Sequence, residues 1–308
     1  MINFKRLAIW IKATRAPFLT ATLVPVILGT IIAWSETGRF NIVNFILVVT
    51  GISFLHTGTN LMNDYFDHRT GNDPLNKNHT PFNGGSRVIQ DRLVKPKGIF
   101  LFSLACFIIG SIIGLWINYA LKTNIVLFMG IIGVFLGIFY TAEPLKIGYL
   151  GSGELIVGFC FGPLVVLGAY YVQAMRFSWP AFCASIPVGI LVGLILYINE
   201  FPDYEADEKT GKRTLVVLLG KEKAVRLYHL LIGLTYASIL IFAVFRIIPL
   251  YTLAVLLTLP MAFKIINVSG RNYGGVRELL PANSLTIALH MLTGILLSGG
   301  FLLNRIWR

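Results

Sequence analysis

The dominant pattern along the chain is a series of long apolar runs separated by polar stretches. Runs of roughly 20 apolar residues are long enough to cross a bilayer as a helix. We predict an all-α membrane protein that forms one domain over residues 1–308, with nine transmembrane helices in a single bundle. The predicted spans are 17–36, 42–62, 98–117, 124–142, 153–172, 180–199, 227–247, 249–267 and 283–303.

Composition supports this prediction. The 308 residues are 56% hydrophobic and only 13% charged, whereas a soluble domain is typically about 25% charged. The three cysteines lie in apolar runs without the spacing of a metal site, so we interpret them as core residues. Lys12 and Arg15 interrupt the first apolar stretch, which argues against a cleavable signal peptide.

The distribution of basic residues predicts the orientation in the membrane. Only two connections are long, 63–97 and 200–226, and nine spans place both on the side of the N-terminus. Most of the 26 lysine and arginine residues fall on that side, and basic residues are retained in the cytoplasm. We therefore predict a cytoplasmic N-terminus and cytoplasmic long loops, in the cell membrane of a bacterium or archaeon. The net charge of +12 follows from this topology and from contact with membrane lipid, so we predict no nucleic-acid partner.

Acidic residues are concentrated at the start of the two long connections. Solubility alone would scatter the chain's 14 acidic residues over all loops. Most of them are Asp64, Asp67, Asp73 and Asp91 in the first window and Glu200, Asp203, Glu205, Asp207 and Glu208 in the second. This concentration requires a local explanation.

The first acidic window follows the second predicted span directly. If that helix continues, Asn60 and Asp64 lie four residues apart and Asp64 and Asp67 three apart. Residues at these spacings share one helical face. The first window therefore predicts a polar face at the end of a membrane helix.

The second acidic window repeats this arrangement after the sixth predicted span. Asn199, Asp203 and Asp207 follow one another at intervals of four residues. Pro202 is compatible with the first turn of a helix, so we predict a helix that restarts there. The similarity of the two windows suggests a diverged internal duplication.

Carboxylates on one helical face repel one another unless a cation lies between them. Magnesium prefers oxygen ligands and is usually held by carboxylates together with substrate phosphate. Two opposing acidic faces predict a pair of Mg²⁺ ions bridged by a diphosphate, and the predicted ligands are Asp64, Asp67, Asp203 and Asp207. The alternative for either cluster alone is a solvated loop or a helix cap.

Basic residues lie beside both acidic windows. Arg87 follows the first, Lys212 and Arg213 follow the second, and Lys146 lies in an intervening connection. Such side chains bind phosphate through charge-assisted hydrogen bonds, although each could instead serve as a topology anchor. The acidic side chains could bind a metal ion, the basic side chains could bind phosphate, and the membrane could hold an apolar tail. Together these features predict a lipid diphosphate as substrate.

As a set, these residues resemble the UbiA superfamily of intramembrane aromatic prenyltransferases. The matching segments are Asn60 to Asp67, Tyr140 to Lys146, Gly153-Glu154, Phe161-Gly162-Pro163 and Asn199 to Leu215. Within the superfamily, the chain is most similar to the menaquinone-pathway branch, which prenylates 1,4-dihydroxy-2-naphthoate. It departs from that branch at Glu200, at Pro202 and over 80–87.

The resemblance implies further roles for individual residues. It implies a central cavity open sideways to lipid, in which Asn60 and Asn199 supply neutral oxygens to the diphosphate site or orient the acids. An allylic cation forms there and water must be excluded from it. Tyr140 and Glu154 would lie on the side of the cation and the aromatic acceptor. The implied partners are an isoprenoid diphosphate and an aromatic ring.

Other functions stay open at this point. A hydroxybenzoate, a homogentisate or a glycerol lipid would need the same diphosphate machinery as a naphthoate acceptor. A secondary transporter would also have many spans and intramembrane polar groups, but its site would lie near the bilayer midplane. A phosphatidyl-alcohol transferase would carry a dense Asp-Gly-Ala-Arg signature, which this sequence lacks.

Overall fold

The computed structural model describes residues 4–307, so residues 1–3 and 308 of the predicted domain lie outside the described residues. The described part is all-helical. The α-helices are α1 (Phe4–Ala13), α2 (Thr20–Thr37), α3 (Ile42–Arg69), α4 (Asn72–Leu75), α5 (Pro96–Ala120), α6 (Ile125–Phe139), α7 (Gly153–Phe159), α8 (Val165–Ala174), α9 (Trp179–Thr210), α10 (Leu215–Leu219), α11 (Lys221–Val244), α12 (Leu259–Asn272) and α13 (Leu280–Ile306).

Eight helical segments in the described chain are long and apolar enough to cross a membrane. Three of them combine an α-helix with a different helical turn. A 3₁₀ turn at Ala16–Leu19 precedes α2, a π-helical turn at Cys160–Leu164 joins α7 to α8, and a 3₁₀ segment at Leu250–Thr258 precedes α12. The fourth predicted span, 124–142, corresponds to α6, an apolar helix of 15 residues.

The two long connections begin later than predicted. Helix α3 continues to Arg69 and helix α9 to Thr210, so Asp64, Asp67 and the whole second acidic window are helical and are not the opening residues of loops. The prediction that a helix restarts at Pro202 is also wrong, because α9 passes through this proline without a break.

Asn283 explains why Pro202 does not end the helix. A proline lacks the N–H that would donate to the carbonyl four residues earlier, here that of Ile198. The side chain of Asn283 on α13 donates to this carbonyl at 3.3 Å and to Asn199 Oδ1 at 2.7 Å. A neighbouring helix thus supplies the missing hydrogen bond, as membrane helices with internal prolines require.

Helix α9 is the most buried of the spans and crosses α7 at very short range. The crossing uses two pairs of glycines at four-residue spacing, Gly158 with Gly162 and Gly189 with Gly193. A Cβ built at Gly189 would lie 2.5 Å from the Gly158 carbonyl oxygen, and one at Gly193 would lie 2.9 Å from that of Glu154. Small residues at this spacing let membrane helices pack backbone to backbone.

Candidate active site

A cavity of about 330 Å³ lies inside the bundle, at the lower end of the range for ligand sites. One part of its wall is apolar and is formed by α3 and α5 to α9. Gly114 and Gly130 leave this part open, because a Cβ at either position would meet no atom within 4 Å. The other part is polar and includes Asp67, Asp203 and other residues at the ends of α3 and α9. The cavity therefore joins an apolar channel to a charged chamber.

A single lysine joins the two acidic helix ends. The Lys212 ammonium lies 3.1 Å from Asp67 Oδ2 on α3 and 3.8 Å from Asp207 Oδ1 on α9. Tyr149 donates a hydrogen bond of 2.7 Å to the other oxygen of Asp67. The polar faces predicted on two separate helices thus face each other and are close enough to share one cation.

Asparagines from the segment after α3 connect it to the second acidic helix. Asn72 donates to Asp207 Oδ1 at 2.8 Å, and Asn76 donates to Asp203 Oδ1 at 2.5 Å. Asn83 also donates to Asp203 Oδ1. These amides satisfy buried carboxylates and draw the segment 72–83 over the polar end of the cavity.

Asp64 and Asp73 both lie against Gly85. A Cβ at Gly85 would lie 2.5 Å from Asp73 Oδ2 and 3.1 Å from Asp64 Oδ1, and the residue has a φ of +72°. Glycine is therefore required at position 85 for two reasons: its positive φ, and the lack of space for a side chain beside the two carboxylates. The next backbone N–H, that of Ser86, donates to the Asp64 carboxylate at 3.2 Å.

The charge of the chamber shifts the pKa values of the groups around it. Burial, followed by the carboxylates of Asp67 and Asp64, raises the pKa of Asp73 well above its usual value. Burial alone would lower the pKa of Lys212, but Asp67 and Asp207 outweigh it and raise this pKa well above its usual value. Negative charge thus exceeds the positive charge available inside this chamber.

The donor set of the chamber fits magnesium. Asp64, Asp67, Asp73 and Asp207 are almost completely buried, and Asp207 Oδ2 has no hydrogen-bond donor. Among the described residues, no group of three or more acidic, histidine or cysteine side chains forms a ready metal-ligand set. Asparagine and lysine instead occupy several carboxylate oxygens. This arrangement suits a cation that arrives with phosphate oxygens and water as its remaining ligands.

The structure separates the predicted phosphate-binding residues into two groups. Lys212, Asn60 and Asn199 line the cavity, and Asn60 Nδ2 has no acceptor. The other three side chains lie off the cavity wall. Arg87 donates to the Asp73 carbonyl at 2.6 Å, Lys146 pairs with exposed Glu143 at 2.9 Å, and the Arg213 side chain is exposed.

The residues predicted for the acceptor side lie close together. Tyr140 lines the cavity, and its hydroxyl would lie 2.9 Å from a Cβ at Gly153, next to Glu154. Glu154 lies behind the wall, where its Oε1 accepts the Leu215 backbone N–H at 3.0 Å.

Several residues of the site were not predicted from the sequence. Asn72, Asn76 and Asn83 could have been suspected, because asparagine recurs between the first acidic window and Gly84-Gly85. Tyr149 carries no local signal. Arg15, noted from the sequence as a charge that interrupts the first apolar stretch, lines the cavity from a left-handed backbone conformation.

Comparison with known sequences gives a consistent match over almost the whole chain. Residues 22–301 match the UbiA prenyltransferase family. The chain is 30% identical to 2-carboxy-1,4-naphthoquinone phytyltransferase of Synechocystis sp., over 95% of this chain and 92% of that protein. It is 29% identical to 1,4-dihydroxy-2-naphthoate octaprenyltransferase of Bacillus subtilis, with the same coverage of both chains.

Solved structures show the same fold at lower identity. A UbiA homologue from Aeropyrum pernix K1 superposes with a TM-score of 0.65 at 16% identity, covering 92% of this chain and 97% of that one. A UbiA homologue from Archaeoglobus fulgidus bound to GPP and Mg²⁺ gives a TM-score of 0.61 at 15% identity, covering 94% and 99%. Related structures of the Archaeoglobus protein contain DMAPP with Mg²⁺, or Cd²⁺.

Proposed function

Because the chain belongs to the UbiA prenyltransferase family, we propose that it transfers the prenyl group of an isoprenoid diphosphate to 1,4-dihydroxy-2-naphthoate in menaquinone biosynthesis. The chain is a prenyltransferase, and its helices are those of an integral membrane protein. The naphthoate acceptor is supported by relatives that act on naphthoate or naphthoquinone compounds. We further propose that α6 is the ninth span, and that the N-terminus and the acidic helix ends face the cytoplasm of a bacterial or archaeal cell.

One observation carries the proposal of a diphosphate site. Lys212 contacts both Asp67 and Asp207, so the ends of α3 and α9 enclose one small polar space. That space opens into an apolar channel inside the bundle. A diphosphate group with a long apolar tail has the same division of polarity.

In the proposed site, Asp64, Asp67, Asp203 and Asp207 hold Mg²⁺, and we expect two ions. Bound magnesium would offset the negative charge of the departing diphosphate. Asp73 lies close enough to these residues to contribute. The four aspartates named from the sequence supply only oxygen donors, which Mg²⁺ prefers.

Lys212 is the proposed cation for the diphosphate, because it already lies between the two acidic ends. Asn60 and Asn199 would contact the diphosphate or orient the acids from the cavity wall. Contacts of Arg87, Lys146 and Arg213 with phosphate stay predictions, since these side chains point elsewhere in the structure.

The apolar part of the cavity would hold the prenyl tail and exclude water from the allylic cation. Tyr140 presents an aromatic ring on the same wall, and an aromatic face stabilises a nearby cation. We place the acceptor ring beside Tyr140, where its attack on the prenyl carbon would form the new carbon–carbon bond.

The proposal is tested by combining the purified protein with geranyl diphosphate, Mg²⁺ and a panel of acceptors. The panel contains 1,4-dihydroxy-2-naphthoate, 4-hydroxybenzoate, homogentisate and a glycerol lipid, and products are identified by mass spectrometry. We expect a prenylated naphthalene product that requires Mg²⁺. A product formed only with another acceptor would overturn the naphthoate assignment, and no diphosphate release with any acceptor would favour the transporter alternative.

A further inference from the structure

A histidine lies in the wall of the apolar part of the cavity. His56 on α3 lines the cavity and is 9% exposed. It precedes Asn60 by four residues and Asp64 by eight, so it lies about 12 Å deeper in the bundle than the Asp64 carboxylate helix turn. An ionisable side chain inside a membrane segment is costly and usually has a functional role. The tail of an isoprenoid diphosphate offers no polar atom to an imidazole, so the role of His56 concerns a different ligand.

Two side chains hold the His56 ring in place. The Thr22 hydroxyl on α2 lies 2.8 Å from His56 Nδ1, in a hydrogen bond that is fully buried. The Phe161 ring packs against the imidazole at a centroid distance of 4.6 Å. Thr22 is the one hydrogen-bond partner of this imidazole among the described residues. Nδ1 and Nε2 lie on different edges of the ring, so the contact with Thr22 leaves Nε2 free for a ligand in the cavity.

The π-helical turn between α7 and α8 brings Phe161 to this position. On one side of the turn, Gly162 packs against α9, where a Cβ built on it would lie 2.6 Å from Gly189 Cα. The preceding residue, Phe161, lines the cavity. Turns of this kind inside α-helices are frequent at functional sites. The turn thus places an aromatic ring and an imidazole side by side on the cavity wall.

The pair of Thr22 and His56 is suited to bind a hydroxyl group. A neutral imidazole has one donor and one acceptor nitrogen, and a threonine hydroxyl can donate or accept. When Thr22 accepts, Nδ1 carries the ring proton and Nε2 is a free acceptor. A ligand hydroxyl can then donate to Nε2.

His56 also lies at a level that a ring beside Tyr140 can reach. Helices α3 and α6 run in the same direction, because the chain crosses the bundle once between them, in α5. They touch where a Cβ at Gly137 would lie 2.6 Å from Thr59 Oγ1. Tyr140 follows this contact by three residues and His56 precedes it by three, so the two lie about 9 Å apart along the helix axes. A fused two-ring acceptor with a hydroxyl at its edge can span this distance.

On the premise of the proposed function, we propose that His56 binds a ring hydroxyl of the aromatic acceptor through Nε2, and that Thr22 positions the imidazole for this contact. The acceptor hydroxyl donates to Nε2, while Nδ1 donates to Thr22. Phe161 borders the same pocket and offers an apolar face to the acceptor ring. His56 thus fixes the orientation of the acceptor and selects molecules that carry a hydroxyl at this position.

The test measures how well two probes, 1-hydroxy-2-naphthoate and 4-hydroxy-2-naphthoate, compete with 1,4-dihydroxy-2-naphthoate. Each probe lacks one of the two hydroxyls. The wild type should bind the probe without the contacted hydroxyl about tenfold more weakly than the other, as expected for one lost hydrogen bond. In His56→Phe this difference should disappear, while the KM for geranyl diphosphate stays unchanged. His56→Gln should keep part of the difference, because its amide oxygen can still accept a hydrogen bond.

Thr22 is tested through the same readout. Thr22→Val removes the hydroxyl at nearly constant volume and should reduce the difference between the two probes, with the KM for the acceptor raised more than kcat is lowered. Thr22→Ser should restore the wild-type difference, because serine supplies the same hydroxyl.

The matched control is His229→Phe. His229 also pairs with a hydroxyl, that of Ser269 at 2.9 Å, but it lies between α11 and α12, off the cavity wall. This variant should distinguish the probes as the wild type does. Two outcomes would overturn the inference: a wild type that binds both probes equally, or a His56→Phe variant that still distinguishes them. The proposed function fails separately, if the wild type transfers a prenyl group to no aromatic acceptor.

Discussion

Replacing Lys212 by methionine should have opposite effects on magnesium binding and on prenyl transfer. Methionine preserves much of the apolar stem but removes the ammonium that contacts Asp67 and Asp207. Without diphosphate, this ammonium occupies the position where a metal ion would meet the two acids. With diphosphate bound, the same ammonium is the proposed partner of the phosphate oxygens.

The magnitudes follow from the distances. Opposite charges about 4 Å apart attract by about 4 kcal/mol at the effective dielectric of a protein, and Lys212 makes two such contacts, at 3.1 and 3.8 Å. Removing it leaves buried carboxylates uncompensated, which destabilises a protein by about 3–5 kcal/mol. A bound Mg²⁺ would recover part of this lost stabilisation in Lys212→Met. If it recovers even about 1.4 kcal/mol, Mg²⁺ binds tenfold tighter to the variant than to the wild type. Transfer, measured as kcat/KM, should fall by about 10²- to 10³-fold, as when one charge-stabilising donor is removed.

The assay measures Mg²⁺ affinity by calorimetry on the detergent-purified protein without diphosphate, and then kcat/KM with saturating Mg²⁺. Lys209→Met is the matched control, because Lys209 is exposed in the last turn of α9, three residues before Lys212. Weaker Mg²⁺ binding in Lys212→Met, or transfer at the wild-type rate, would refute the placement of Lys212 between metal and diphosphate.

Three other predictions concern different parts of the molecule. Asp64→Ala should abolish Mg²⁺-dependent transfer while the protein stays in the membrane, and retained product formation would remove Asp64 from the metal site. Asn283→Leu should lower the free energy of unfolding by about 1–3 kcal/mol, because the Ile198 carbonyl loses its donor. Adding Pro202→Ala should restore most of this free energy, as measured by thermal unfolding, because alanine supplies the missing backbone N–H. A double variant as unstable as Asn283→Leu alone would contradict this explanation. Gly130→Trp should fill the apolar channel, because a Cβ at Gly130 meets no atom within 4 Å. The longest prenyl diphosphate that the variant accepts should therefore be shorter than for the wild type. An unchanged chain-length preference would place the prenyl tail elsewhere.

The sequence was sufficient for features that depend on neighbouring residues. The apolar runs predicted eight spans that the structure contains, because the length of a membrane helix is set by bilayer thickness and is visible in local hydrophobicity. The spacing of Asn60, Asp64 and Asp67 predicted a shared polar face, since helical periodicity is also local. The same argument identified Asn199, Asp203 and Asp207.

Features that depend on a neighbouring helix were misjudged or missed. The restart at Pro202 was expected because proline removes a local hydrogen bond, yet Asn283 replaces that bond from a helix 85 positions away from Ile198. No local pattern reveals such a partner. Arg87, Lys146 and Arg213 were grouped with Lys212 by proximity along the chain, but only the Lys212 side chain turns into the cavity.

The sequence by itself therefore determined the membrane helices and the acidic faces on two of them, because both depend on hydrophobicity and on the 3.6-residue turn of each helix. Only the tertiary structure decided that Lys212 joins Asp67 to Asp207 and that Asn283 supplies the hydrogen bond missing at Pro202. These contacts join residues that are far apart in the sequence, and the second links α9 to α13. Their geometry is a property of the packed bundle and is absent from any short stretch of the chain.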